Sequence, residues 1–284
     1  MPGFLFAIVL SVLLVIHSRR KKSLTTDGAA GAFVLGMATF SADLYLFTVV
    51  LLGFFLASSK LTKFKAERKR ILEADYEASS ERNVIQVICN GLMGGVAVTL
   101  YQMTCQDEKY TCYDQARWST VLLWSYIGHY ACCAGDTWAS ELGILNNEWP
   151  ILITRFKKVP PGTNGGVSGL GLAASLAGGL FVGLIGALSL YLEQPCHGVA
   201  YELVILGGVA GLGGSLIDSL LGATLQESLY SEEKKIILNK RIPDQTITVI
   251  SGYPVLDNHQ VNFITSVTTS VLCGLAAWCL YPTA

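Results

Sequence analysis

The sequence predicts an all-α, polytopic integral membrane protein forming a single membrane domain over residues 1–284. Three observations lead there. Of the 284 residues, 51% are apolar and only 14% charged, against about 25% charged in a soluble domain. Apolar segments run from end to end, near 3–17, 28–42, 44–58, 83–101, 119–142, 167–192, 200–224 and 260–281. Lys and Arg gather in every second loop between them. The net charge of −1 gives no global reason to expect a nucleic-acid partner.

The first segment, PGFLFAIVLSVLLVIH, has no basic region before it and is followed at once by RRKK (19–22). It reads as an uncleaved first span with its C-terminal end in the cytosol, and no transit peptide is expected. A span takes about 20 residues, so the first three segments are short. The second and third, split only by Ser41, Ala42 and Asp43, read either as two thin spans or as a re-entrant hairpin. The chain then has about eight membrane segments, or six plus the hairpin.

Eighteen of the twenty Lys and Arg fall in 19–22, 60–82, 155–158 and 234–241; Lys109 and Arg117 remain, both in 102–118. The positive-inside rule therefore puts loops 19–27, 59–82, 143–166 and 225–259 in the cytosol. Loops 102–118 and 193–199, with both termini, fall to the lumen or exterior. Cys105, Cys112 and Cys196 lie in those outer loops, where a disulfide and free thiols are both open. Cys89, Cys132, Cys133 and Cys273 lie within segments as small packing residues. His129 shares a helix face with Cys132 and Cys133, but no second pair of ligands suggests zinc.

The unusual polar residues all map to the cytosolic side. Asp27 in TTDGAAG, Thr163 and Asn164 in PPGTNGGVSG, and Asp257 and Asn258 in PVLDNHQVN stand before the second, sixth and eighth segments. Such residues cap free backbone N–H groups. The same helix starts, with glycines that let a ligand approach, suit phosphate. Arg155, Lys157 and Lys158 precede the GTNGG run and read either as added phosphate charge or as interfacial residues.

Asp136, Glu141 and Asp218 lie instead at helix ends where the dipole disfavours negative charge, so capping does not account for them. A carboxylate at membrane depth is costly and usually functional. On the seventh segment, Gly207, Gly211, Gly214, Ser215, Asp218 and Gly222 form one small-residue stripe, which turns Asp218 toward protein. Glu141 points about 140° away from Asp136 at about 100° per residue, toward a different partner or a different ligand atom. Buried acids beside an anion-binding surface suggest Mg²⁺, held by one or two carboxylates plus substrate phosphates. Asp136 and Asp218 are the expected ligands, then Glu141. Hydrogen bonding between helices is the structural alternative.

The strings SSKLTKFKAE (58–67), QVICNG (86–91), AGDTWASELG (134–143), KVPPGTNGGVSGLGL (158–172), GLGGSLIDSLLGATLQ (211–226) and PVLDNHQVN (254–262) run in order over most of the chain. In them the chain resembles the transmembrane protein 19 family, which has plant phytyl-phosphate kinase among its relatives. GDxxAS also resembles a motif of membrane enzymes that use CTP. The lumenal CQDEKYTC departs from the family pattern. The resemblance implies transfer of a nucleotide γ-phosphate to a prenyl or phytyl monophosphate. On that reading Asp136 and Asp218 hold Mg²⁺ with Glu141 assisting. Lys60, Lys158, Thr163, Asn164 and Gly165 meet phosphates, and Asp257 with Asn258 completes the mouth. The expected partners are a nucleoside triphosphate, an isoprenoid monophosphate and membrane lipid. The expected site is the endoplasmic reticulum or another endomembrane, with the active face cytosolic. A transporter or ion exchanger is the rival reading, although its site would lie near the midplane. A non-catalytic scaffold would leave the acids without a role.

Overall fold

The computed structural model describes residues 3–67, 69, 80–105, 112–194, 198–238 and 246–281. Eight long helices stand among them: α1 Phe4–Arg20, α2 Thr26–Phe40, α3 Tyr45–Lys63, α4 Val84–Thr104, α5 Arg117–Gly143, α6 Gly169–Glu193, α7 Tyr201–Leu225 and α8 Asn258–Leu280. Each coincides with one predicted apolar segment. Several extend past it by a turn, because helical hydrogen bonding continues into polar residues such as Ser18–Arg20 and Ser59–Lys63.

The helices alternate in direction. At one end, Val84 N of α4 donates to Asp27 Oδ2 of α2 (3.1 Å), and Lys63 Nζ of α3 donates to Lys22 O just past α1 (3.1 Å). At the other end, Gln102 Nε2 of α4 donates to Ala38 O of α2 (2.9 Å), and Tyr45 N of α3 donates to Glu193 Oε2 of α6 (2.5 Å). The Trp118 ring of α5 meets Trp278 of α8 there, 5.3 Å between centroids. So the starts of α2, α4, α6 and α8 share one face with the ends of α1, α3, α5 and α7. Helix α2 runs beside α4 from its first turn to its last.

Five helices, α3, α4, α6, α7 and α8, are long and apolar enough to cross a membrane. Helices α1 and α2 are short, with 17 and 15 residues. Helix α5 is long enough, at 27 residues, but polar. Its position explains the polarity: it packs against α3, α4, α6, α7 and α8 and is buried on most sides from Ser119 to Gly135. A helix enclosed by protein needs no lipid-compatible face.

The glycines of α6 and α7 bring their backbones together. A Cβ on Gly211 would lie 2.6 Å from Gly179 Cα and 2.9 Å from Ser175 O. A Cβ on Gly135 of α5 would lie 2.5 Å from Gly211 O. These contacts give α5, α6 and α7 close backbone packing, the familiar use of small residues between membrane helices.

The expectation of an all-helical chain needs one correction. The cytosolic loops predicted at 143–166 and 225–259 carry two small antiparallel sheets. Strands β1 Ile151–Leu152, β2 Lys157–Lys158 and β3 Gly166–Val167 pair in the order β2-β1-β3. Strands β4 Ser228–Ser231, β5 Ile236–Leu238 and β6 Ile247–Ser251 pair in the order β5-β4-β6. Two- to five-residue strands leave little periodic signal, although ITVIS is rich in the β-branched residues that favour pleated backbone.

Cys112 is disulfide-bonded, one of the two states the sequence left open. Cys196, Lys109 and most of CQDEKYTC lie outside the described residues.

Candidate functional site

A cavity of about 380 Å³ opens among the helix ends on one face, within the usual range for small-ligand sites. Its walls come from the first turns of α4, α6 and α8, the last turns of α5 and α7, and the loop that joins α5 to α6.

Close packing places the two aspartates. A Cβ on Gly214 of α7 would lie 2.9 Å from Cys132 Cβ of α5. Asp136 follows Cys132 by one helical turn and Asp218 follows Gly214 by one turn. Because α5 and α7 run in the same direction, this contact carries both carboxylates to one level. Both line the cavity and are near enough to act on one another electrostatically. Asp218 lies beside the Thr265 side chain, and its Oδ2 is buried and makes no hydrogen bond of normal geometry among the described residues.

A carboxylate oxygen in that state costs several kcal/mol in a low-dielectric site unless the group takes up a proton or a cation meets it. Two carboxylates facing a polar cavity fit Mg²⁺, which takes one or two protein oxygens and completes its shell with water and phosphate. No group of three or more His, Cys, Asp or Glu is placed to hold a metal among the described residues.

Glu141 lines the same cavity but is engaged elsewhere. Lys69 Nζ lies 2.5 Å from its Oε2, with the lysine side chain 0% exposed. Lys69 also donates to Leu61 O and Thr62 O, the last-turn carbonyls of α3, at 2.8 and 3.2 Å. This pairing explains how an acid survives at the C-terminal end of α5, where the dipole opposes it.

The GTNGG run forms the opposite wall. Gly165, at φ +77°, packs where a Cβ would meet Ser219 O at 2.5 Å, so this backbone needs glycine. Thr163 Oγ1 donates to Pro160 O (2.7 Å), holding the turn. Asn164 ties the loop to the second sheet: its N–H donates to Ser228 Oγ (3.0 Å) and its Nδ2 to Glu227 O (3.4 Å). Thr163, Asn164 and Gly165 all line the cavity.

The capping residues divide. Asn258 lines the cavity, whereas Asp257 makes a capping box with Gln260, accepting from its N–H at 2.8 Å, and is not in the wall. Thr25, not Asp27, caps α2; Asp27 reaches across to the start of α4. The helix starts that face the cavity are therefore those of α4, α6 and α8. Lys60 and Lys158 are exposed and stand outside the cavity wall.

The cation in the wall is Arg82, which lay unremarked in the basic loop 59–82. Its backbone is clamped by Ser23 and Thr25, N–H to Ser23 O and carbonyl from Thr25 N–H, both at 3.0 Å. The guanidinium lies over the Phe54 ring at 5.9 Å from its centroid. No carboxylate among the described residues lies within ion-pair distance of it. Burial pushes its pKa down, and the charge of Glu141 opposes that shift. Gly28 permits the clamp, since a Cβ there would press on the Arg82 carbonyl. Gln86 and Asn90, one turn apart on α4, continue the same wall. Both lie in QVICNG, where their four-residue spacing was the available signal.

Fold and site together define a class: a multi-pass helical membrane protein with a polar cavity at one end of its bundle, lined by the acids Asp136, Glu141, Glu148 and Asp218. The chain belongs to the DUF92 family of integral membrane proteins, whose model matches residues 9–270. It is 42% identical to Protein PGR of Arabidopsis thaliana, over 96% of each chain. It is 28% identical to an uncharacterised membrane protein of Methanocaldococcus jannaschii, over 87% of this chain and 90% of that one. It is 26% identical to Protein VTE6, a chloroplastic protein of Arabidopsis thaliana, over 72% of this chain and 57% of that one. No solved structure matches it.

Proposed function

We propose that the protein is a membrane isoprenoid-phosphate kinase that transfers a nucleotide γ-phosphoryl group to a prenyl or phytyl monophosphate. The carrying observation is the pair Asp136 and Asp218, brought to one level at the edge of the bundle and facing a cavity closed by a glycine loop. The resemblance to transmembrane protein 19 and phytyl-phosphate kinase sequences supports the same chemistry.

Phosphoryl transfer asks a protein mainly to position phosphates and offset their charge. In this reading Asp136 and Asp218 hold Mg²⁺, which when bound would neutralise the β- and γ-phosphate oxygens. Thr163, Asn164 and Gly165 present the loop to the nucleotide, Arg82 supplies the cation, and Asn258 lines the mouth. Arg82 takes the part expected of Lys60 and Lys158. Glu141 orders Lys69 instead of a metal, and Asp257 caps α8. A lipid phosphate oxygen attacks the γ-phosphorus as the bond to the bridging β–γ oxygen breaks, giving lipid diphosphate and nucleoside diphosphate. A phosphate monoester is already anionic, so no general base is assigned.

All eight helices then cross the bilayer, with both termini outside and the cavity face cytosolic. The co-extension of α2 with α4 favours two spans over a re-entrant hairpin. The Cys112 disulfide agrees with an oxidising outer side. The membrane is the endoplasmic reticulum or another endomembrane.

Conversion of geranylgeranyl or phytyl monophosphate to its diphosphate tests the reading, with CTP, ATP, GTP and UTP each offered to purified protein with Mg²⁺. Product with at least one nucleotide is expected. Ion flux in sealed vesicles with no product would assign the acids to transport.

A further inference from the structure

A second, apolar cavity lies against the polar one. Leu14 of α1, Ala32 and Leu35 of α2, and Leu51, Phe54 and Phe55 of α3 line it. Arg82, Gln86 and Asn90 belong to both cavities. One face of this three-residue partition therefore meets carboxylates and a glycine loop, and the other meets hydrocarbon.

Arg82 makes the partition informative. Its guanidinium lines the polar cavity, is half-buried, and makes no ion pair among the described residues, although the charge of Glu141 is near enough to act on it. A half-buried guanidinium with no ion pair of its own can meet a phosphate bidentately. The apolar recess beside it, about 40 Å³, has room for roughly three water-sized groups on a scale of about 10–15 Å³ each. The stripe of glycines on α6 and α7 offers no comparable slot, because those backbones are in contact.

We propose that this recess seats the first few carbons of the chain of a lipid monophosphate, with the phosphate turned onto Arg82 and the rest of the chain running along α1, α2 and α3. The polar cavity is thereby divided: Arg82, Gln86 and Asn90 face the lipid phosphate, and the GTNGG loop with Asp136 and Asp218 faces the nucleotide. The inference rests on the kinase reading for the identity of the lipid head. It predicts where the lipid binds whether or not phosphoryl transfer follows.

Photolabelling of the full-length protein in lipid nanodiscs, without nucleotide, tests it. The probe is a geranylgeranyl monophosphate analogue carrying a diazirine on its first isoprene unit. Adducts that are suppressed by excess geranylgeranyl monophosphate are expected on Leu14, Leu35 and Phe54 or their immediate neighbours. Competable adducts confined to α6, α7 and α8 would overturn the proposal. Ala32→Phe, which fills the recess, should weaken binding of geranylgeranyl monophosphate roughly tenfold or more while binding nucleotide like wild type. Wild-type lipid affinity in that variant would also overturn it. Arg82→Gln should weaken the monophosphate but not geranylgeraniol, and equal loss of both would remove Arg82 as the phosphate anchor. Labelling in the recess without diphosphate formation would sink the kinase and leave the lipid site. Diphosphate formation with labelling elsewhere would do the reverse.

Discussion

Lys69 Nζ lies 2.5 Å from Glu141 Oε2 and donates at the same time to the carbonyls of Leu61 and Thr62. One buried ammonium thus joins the end of α3 to the end of α5 and engages Oε2 of Glu141. Glu141 was legible as different from Asp136, because it points about 140° away around the helix. Its partner was not legible, because Lys69 sits in KFKAERKR, a run that reads like any solvated basic loop.

Removing one member of a buried ion pair leaves the other uncompensated, at a cost of about 3–5 kcal/mol. Glu141→Gln should therefore lower thermal stability strongly. The double variant Lys69→Met with Glu141→Leu should recover most of the loss. Unfolding in detergent followed by tryptophan fluorescence reads both. A double variant no more stable than Glu141→Gln would mean that Lys69 is held by its carbonyl contacts alone.

Asp136 and Asp218 differ from Glu141: both line the cavity, and neither makes an ion pair among the described residues. Asp218→Asn should leave stability in EDTA unchanged or raised by about 1 kcal/mol, as expected where a site trades stability for function. Mg²⁺ should raise the melting temperature of the wild type, and Asp218→Asn should abolish that rise. An unchanged Mg²⁺ response in Asp218→Asn would remove it from the metal site. These two acids were the clearest features in the sequence, because a charge inside an apolar segment has few structural explanations.

Glycines separate by what a methyl group would meet. Gly165→Ala forces a side chain onto a backbone at φ +77° and against Ser219 O, and should cost about 2 kcal/mol or more. Gly213 has nothing within 4 Å, so Gly213→Ala should stabilise α7 by about 0.5–1 kcal/mol. Melting temperatures of the two variants should move in opposite directions. The small-residue spacing on α7 was visible in the sequence, but which glycine meets backbone and which meets open space depends on the neighbouring helix.

Sidedness yields to cysteine scanning. Lys158→Cys, an exposed position in β2, should react with a membrane-impermeant maleimide only from the cytosolic side. Tyr201→Cys, 69% exposed at the start of α7, should react only from the outside. Reaction of both from the same side would break the eight-span reading. That reading rests on charge counts in the loops and on helix co-extension, and charge alone left the pair α2 and α3 ambiguous. The hydrogen bonds from Val84 to Asp27 and from Gln102 to Ala38 add support for two spans that the loop charges do not give. Arg82 went unseen for a related reason: counting it as one more cytosolic cation concealed that Ser23, Thr25 and Gly28 hold it into the bundle.

The most direct measurement follows label from a γ-³²P nucleotide into geranylgeranyl monophosphate, using purified wild type and Asp136→Asn with and without Mg²⁺. The account predicts Mg²⁺-dependent labelled lipid diphosphate from the wild type and essentially none from Asp136→Asn folded to the same melting temperature. Equal labelling by the two proteins, or none from folded wild type with any of the four nucleotides, would contradict it.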